Sequence, residues 1–279
     1  MITNILTLTP GNTPVKLKQI KDPPSQLFAR GDVGLLSKKP AIAVVGARKI
    51  SAYGKQVTAD LVSGLCRAGF VIISGLAFGV DALAHRTALD CGGKTIAVLP
   101  SPVDKIYPAS NYRLSEQIAE KGLLLSEYPS GMVPQKFFFA QRNRIVSGLS
   151  DGVLIIQAAE NSGTLITANL AKQQGRKLFV VPGEITSSAF AGNNQLIREG
   201  ATLVRSANDI ILDFGLEQLQ LTNPQSSNPI LQLIKDGAVE SSEIQKELRM
   251  SAQEFNQQVS ILEIEGYVKP KGDNTWILT

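Results

Sequence analysis

The chain predicts an α/β domain built on a doubly wound, mostly parallel sheet, followed by a small helical domain that ends in a hairpin. Three observations carry this reading. From Ala41 onward, short apolar, β-rich runs alternate with segments of helical period. The strand-to-helix junctions at Gly46, Ser74-Gly75 and Ser162-Gly163 are built from small residues, as tight βα turns require. A polar, turn-rich stretch at 218–228 then leads into a tail of different pattern.

A length of 279 residues suits one large domain and one small one. The expected division is a lead-in segment at 1–40, the main domain at 41–217, a linker at 218–228 and a C-terminal domain at 229–279. No run approaches the ~20 apolar residues that cross a membrane. The opening MITNILTLTP lacks the basic start and apolar core of a secretory leader, so a cytoplasmic protein with no membrane contact is expected. Cys66, Cys91 and one histidine show no zinc-type spacing; buried free thiols and no metal site are expected. The net charge of +4 is uneven, because residues 228–279 hold five Lys/Arg against eight Asp/Glu and leave +7 on the rest. The long domain is therefore the candidate for a polyanion.

Taken in order, residues 1–40 are broken at Asp22-Pro23-Pro24, and QLFARG at 26–31 reads as a short segment packed on the edge of the main domain. Ala41 to Val45 is the first strand, followed by Gly46-Ala47-Arg48 and a helix from about Tyr53 to Ala68. The junction is not GxGxxG, so a dinucleotide fingerprint is absent. Arg48, at the carboxyl end of a strand beside a helix N-terminus, suits a phosphate, although an ordinary surface arginine reads the same way. Phe70 to Ile73 is the next strand, ended by Ser74-Gly75; Val80, Leu83, Ala84, Ala88 and Leu89 then recur at helical spacing. Strand 94–99, the stiff loop Pro100-Ser101-Pro102, helix 111–121 and strand 123–126 follow. Lys136 to Ser150 places three phenylalanines beside Arg142 and Arg144, ahead of a core face at Ile145, Val146 and Leu149. Aromatics interleaved with cations suit single-stranded nucleic acid, where bases stack and phosphates pair. The alternative is an apolar lead into an amphipathic helix, with at least two of the phenylalanines in the core. Strand 152–157, a helix capped near Ser162, strand 177–181, a short helix at 192–200, strand 202–204 and a helix at 208–214 complete the domain. This alternation brings the Arg48, Ser74 and Ser162 loops to one carboxyl edge, where such sheets bind ligands. Three turns with free backbone N–H groups on a basic domain imply a ligand with several phosphates.

The tail reads as helix 229–236, helix 242–248, helix 252–265 and a hairpin at 267–278, which is the order of a winged helix. Ser251 with Glu254 forms a capping box. The third helix of such a domain normally enters the major groove. Here residues 251–265 contain no Lys or Arg, so a protein-contact or regulatory role is expected in place of DNA reading.

Several longer motifs stand in one order: LKQIKDPPSQLFARG at 17–31, VVGAR at 44–48, SGLAFGVDALAH at 74–85, KFFFAQRNRIVSGLS at 136–150, SGTLITA at 162–168 and GNNQLIREGA at 192–201. Over roughly 17–214 the chain thereby resembles the DNA-processing protein A family (DprA/Smf). The resemblance implies a Rossmann-like domain that binds single-stranded DNA, protects incoming DNA and helps load RecA recombinase during natural transformation. It implies no catalytic residue and no cofactor. Carried over motif by motif, Arg48, Lys136 and Phe139 would contact DNA. Gly46, Ser74, Gly75, Arg142, Asn143, Ser162, Gly163 and Thr164 would complete the DNA pocket, and Leu196, Ile197 and Leu203 would lie at a homodimer interface. A competing reading is a nucleotide-binding hydrolase of the phosphoribohydrolase kind. Its PGGxGT motif is missing, and Asp81 with His85, one helical turn apart, serves as readily to steady a helix start as to act as acid and base. A third reading, a transcription regulator that senses a nucleotide, meets the same missing fingerprint and the acidic tail. Binding of an oligonucleotide in preference to a mononucleotide separates the first reading from the others.

Overall fold

A computed structural model describes residues 5–216, 228–237, 240–264, 267–272 and 274–278. The chain divides into two compact units, Met1–Glu217 and Gln218–Thr279. Of the expected linker at 218–228, residues 218–227 lie outside the described residues.

The first unit is a nine-stranded sheet between two helical layers. Its strands are β1 (Leu6–Leu8), β2 (Leu27–Gly31), β3 (Ala41–Val45), β4 (Val71–Ser74), β5 (Lys94–Leu99), β6 (Leu123–Ser126), β7 (Gly152–Ile155), β8 (Lys177–Val180) and β9 (Thr202–Leu203). They lie in the order β1-β2-β6-β5-β4-β3-β7-β8-β9. Every pair from β6 across to β9 is parallel. The lead-in does more than pack on the edge: it adds two antiparallel strands, β2 pairing with β6 from Phe28↔Ser126 to Gly31↔Leu123.

The helices are α1 (Val15–Lys18), α2 (Ala52–Arg67), α3 (Val80–Asp90), α4 (Tyr112–Lys121), α5 (Phe138–Leu149), α6 (Gly163–Gln173), α7 (Ala191–Arg198) and α8 (Ala207–Asp213). Alternation along the strands assigns the two layers. Ala43, Val45, Ile73 and Ile155 face a core shared with α5 and α6, while Ile42, Val44, Ile72 and Leu154 face one shared with α2, α3 and α8. Burial on both faces is why these strands are unbroken apolar runs. The chain steps outward from β3 through β4, β5 and β6, then returns to β7 on the other side of β3. The crevice outside the carboxyl ends of β3 and β7 is thus the switch point of the sheet.

Two expectations are corrected here. Leu196 of α7 is only 4% exposed and belongs to the first core, with Ile197 packed partly against it. Successive residues on a helix point about 100° apart, so one of the pair faces inward; a buried leucine is not an interface residue. Of the two thiols, Cys66 is half-buried and Cys91 is exposed.

The second unit has helices Pro229–Lys235, Ser241–Leu248 and Ala252–Ile264, followed by an antiparallel pair Val268–Gly272 and Thr275–Leu278. Ile230, Ile234, Ile244, Phe255, Val259 and Leu262 form its own core. Glu254 accepts a hydrogen bond from Ser251 N at 3.0 Å, while Glu254 N donates to Ser251 Oγ at 3.3 Å, closing the expected capping box. Among the described residues of both units, no helix is long and apolar enough to cross a membrane.

Candidate nucleic-acid interface

A cleft of about 360 Å³ occupies the switch point. One wall is Gly46-Ala47-Arg48, following β3. Lys136, Phe139 and Asn143, around the start of α5, form another, and Ser162-Gly163-Thr164, at the start of α6, form the third. The Arg48 guanidinium sits over the Phe139 ring, 5.3 Å from its centroid. Tyr107 meets Phe139 edge-on at 5.3 Å and is itself 48% exposed. The cleft therefore presents an aromatic shelf with a cation on it, and the exposed Lys136 stands on the rim. Ser162 caps α6 by accepting from Thr164 N at 3.2 Å, and the exposed Gly163 brings bare backbone to the cleft wall. A helix N-terminus of this kind attracts an anion.

Ser74 and Gly75 do not line the cleft; they lie beneath it. Ser74 is fully buried and its hydroxyl donates to Val44 O at 2.7 Å. Gly75 is covered by the Arg142 guanidinium, which leaves no room there for a side chain. Arg142 borders the cleft but is only 5% exposed, and its Nη1 donates to the carbonyls of Gly75 and Val98. Its charge faces the buried Asp81, whose carboxyl also accepts from Ala77 N at 3.4 Å. Burial pushes Asp81 above the usual carboxylate range, and Arg142 pulls it back. Burial likewise pulls Arg142 below its ordinary value, opposed by Asp81. Arg142 is thus a strut holding the carboxyl ends of β4 and β5, not an open phosphate ligand. Arg144 points away from the cleft and pairs with Asp22 at 2.8 Å and Glu127 at 2.6 Å, tying the lead-in to the body.

The buried histidine supports no acid–base pair. His85 Nδ1 is 2.7 Å from Thr95 Oγ1, and the ring makes no hydrogen bond to Asp81. Burial, and then Arg142, push it down to about 3, so it is neutral.

The expectation of three open anion turns is reduced to one. At α3, Gly79 adopts φ +73° and lies against the carbonyls of Ala47 and Arg48, where any Cβ would collide, and Val80 N donates to Ala47 O at 3.2 Å. Leu76, fully buried, is held in the left-handed region at φ +55° while Asn111 Nδ2 donates to its carbonyl at 2.9 Å. At α2, Gln157 Oε1 takes both Ser51 N (3.0 Å) and Ser51 Oγ (2.9 Å), and Ser51 Oγ takes Gly54 N at 3.0 Å. Among the described residues, only the α6 turn keeps its helix N-terminus open at the cleft; Arg48 of the α2 junction and Ala77 and Asp81 of the α3 junction line it as well.

Asn193 and Asn194 were not singled out by the sequence. Asn193 is fully buried: its Oδ1 accepts from Ala158 N at 2.6 Å and its Nδ2 donates to Ile156 O (3.0 Å) and Val181 O (2.7 Å). It pins the carboxyl ends of β7 and β8 together. The only available signal was two polar residues in the short helix segment GNNQLIREG, and polarity alone suggests the surface.

The family model of DNA recombination-mediator protein A matches residues 4–215. DNA processing protein DprA of Bacillus subtilis is 44% identical over 221 residues, covering 79% of this chain and 74% of that protein. The solved DprA of Streptococcus pneumoniae is 41% identical with a TM-score of 0.72, covering 75% of this chain and 74% of that one. The Helicobacter pylori DNA processing protein A, solved to describe that protein's single-stranded DNA binding mode, is 37% identical with a TM-score of 0.69, covering 77% of this chain and 98% of that one. With its doubly wound sheet and a family match over most of its length, the chain belongs to the DNA recombination-mediator protein A (DprA/Smf) family of DNA-processing proteins.

Proposed function

We propose that the cleft holds single-stranded DNA without sequence preference. One phosphate would lie at Arg48 and the α6 N-terminus, a neighbouring one at Lys136, and a base would stack on Phe139. The observation that carries this is the Arg48 guanidinium 5.3 Å over the Phe139 ring, which brings a charge for a phosphate and an aromatic ring for a base to one point; the guanidinium must shift off that face for the base to stack. A base can lie flat on that shelf only when it is not paired, so a duplex is a poorer ligand. The binding mode described for the Helicobacter pylori relative supports the reading.

The test is a set of titrations of a fluorescent oligonucleotide against salt. Arg48→Ala weakens binding and flattens the log–log salt slope by about 0.7, the value of one phosphate contact on a single strand. Arg48→Lys recovers only part of the affinity, because the planar fork is lost. Phe139→Ala weakens binding by about 1–3 kcal/mol and leaves the slope unchanged. Equal affinity for duplex and single strand at moderate salt overturns the reading.

On this basis we infer a cytoplasmic, non-catalytic protein that protects incoming DNA and helps load a RecA-type recombinase during transformation. We infer also a homodimer whose interface includes the exposed Leu203. The second unit, with its helix–helix–helix–hairpin order, is read as a winged helix used for protein contact. Deleting residues 228–279 is then expected to change single-strand affinity by less than tenfold, or about 1.4 kcal/mol. That tail carries five Lys/Arg against eight Asp/Glu, and its core is its own. A larger loss in a truncated chain that still melts cooperatively would assign the tail to the DNA site.

A further inference from the structure

We propose that the bound strand runs on past Arg48 along the carboxyl edge of the sheet and lodges a second base in an apolar pocket under Tyr53; this rests on the single-strand reading of the cleft. The cleft does not end at Arg48. Ala47, Arg48 and Ser162 are shared with a second hollow of about 500 Å³, whose floor is the carboxyl end of β7 and whose far side is the segment before α7. Next along the edge is a pocket of about 460 Å³, between Tyr53 at the start of α2 and the loop Pro182–Phe190 that follows β8. The three hollows follow the strand order β4-β3-β7-β8. Three strand spacings of about 4.8 Å make the run roughly 14 Å long, the scale of a few nucleotides and not of one.

The chemistry changes along that run in the way a single strand requires. Exposed Arg48 and Lys49 stand on the approach and suit phosphates. The far pocket offers rings: Tyr53 is 46% exposed and meets the buried Phe190 edge-on, with centroids 5.5 Å apart. Glu160 borders the second hollow and Glu184 the third, where each repels a phosphate. The backbone of the strand is thus held beside Arg48 and Lys49, while the base turns inward toward Tyr53.

The pocket is also built before anything enters it. Tyr53 Oη donates to Pro182 O at 3.1 Å. Gly183 N donates to Asn194 Oδ1 at 3.3 Å, and Asn194 Nδ2 donates back to Gly183 O at 3.1 Å. Phe190 packs so closely on Gly183 that no Cβ fits between them. Little order remains to be imposed on binding, which favours affinity. The pocket shares no wall residue with the cleft, but it adjoins the second hollow, since Lys49 and Ser188 line that hollow and Ser51 and Ser187 line the pocket; this continuity favours the same DNA strand as occupant over a protein segment.

The test uses the full-length chain and two oligothymidylates, one of about 2 nucleotides, too short to span the ~14 Å run, and one of about 16, the upper end of site sizes for single-strand binders. Tyr53→Ala is expected to weaken the long oligomer about tenfold, within the range for loss of one stacked base, and to leave the short one at wild-type affinity. Its salt slope stays unchanged, because no charge is removed. Tyr53→Phe keeps the ring and binds both as wild type. Tyr53 is half exposed, so thermal melts of both variants should match the wild type. Wild-type binding of the long oligomer by Tyr53→Ala, or an equal loss for both oligomers, overturns the proposal. So does Tyr53→Ala altering the mass in light scattering while leaving DNA affinity intact, which would make the pocket a protein contact. Arg48→Ala separates the two readings: if it weakens both oligomers while Tyr53→Ala weakens neither, only the Tyr53 subsite falls. If the wild type binds neither oligomer, the cleft reading falls with it.

Discussion

Replacing Arg142 with alanine is expected to cost about 3–5 kcal/mol of stability, while Arg48→Ala in the same cleft costs almost none. The two arginines differ in where their charge sits. Arg48 is exposed. Arg142 is buried, donates to Gly75 O and Val98 O, and is the counter-charge of the buried Asp81. Its loss strands a carboxylate and two carbonyls away from water. The direction with pH follows from Asp81. Burial raises its folded pKa above the unfolded value, so between the two the native state holds more protons than the unfolded state. Stability contributed by this group is present below the unfolded pKa and is lost as pH rises through the folded one. Arg142 is the largest influence pulling that pKa back, so its removal widens the window upward. Urea unfolding should therefore show a larger deficit for Arg142→Ala at about pH 8 than at about pH 5. Adding Asp81→Asn should recover part of the loss and remove the pH dependence, leaving the cost of the two bare carbonyls. A deficit independent of pH and of Asp81 would show that offsetting the Asp81 charge is not what Arg142 provides.

The contrast between the two arginines lies in how much of each residue's surroundings its own stretch of sequence sets. The parallel strands were legible because each is buried on both faces and so has no polar side: AIAVV at β3 and FVII at 70–73, which overlaps β4 by three residues, read as strands from composition alone. β2 was not, because LFARG carries an arginine and a glycine and gains its place only by pairing with β6, some ninety residues away in sequence. Arg48 was legible as a residue of the cleft because its neighbours in sequence, a strand end and a helix start, set its surroundings, whereas Phe139 was singled out from three adjacent phenylalanines only by the family resemblance. Arg142 and Ser74 were not legible, since their partners are remote. Gly75 O and Val98 O lie 67 and 44 positions from Arg142, and Val44 O lies 30 from Ser74. A serine at the end of a strand looks the same whether its hydroxyl faces a phosphate or a neighbouring carbonyl, and only the sheet order decides. Gln157 is a similar case. Its amide oxygen closes the α2 N-terminus to ligands, which no local pattern reveals.

Leu196→Glu is expected to abolish the folded state, and Leu203→Glu to leave it intact. Leu196 lies 4% exposed in the core shared by α5, α6 and β8, so a glutamate there buries a carboxylate with no cation to meet it. That costs several kcal/mol, a large part of the stability of a domain this size. Loss of the cooperative melt, and not dissociation, is the expected outcome. Leu203 is 42% exposed on β9, the last strand of the sheet, whose outer side pairs with no strand among the described residues. A charge there stays in water and should change stability by no more than about 0.5 kcal/mol. If two copies meet along this edge, Leu203→Glu sets like charges against each other across the two-fold axis, and light scattering should show the mass of a single chain where the wild type shows two. Ile197, half-buried against the first core, should give an intermediate result: some loss of stability with a partial shift in mass. An unchanged mass for a folded Leu203→Glu would remove β9 from the interface.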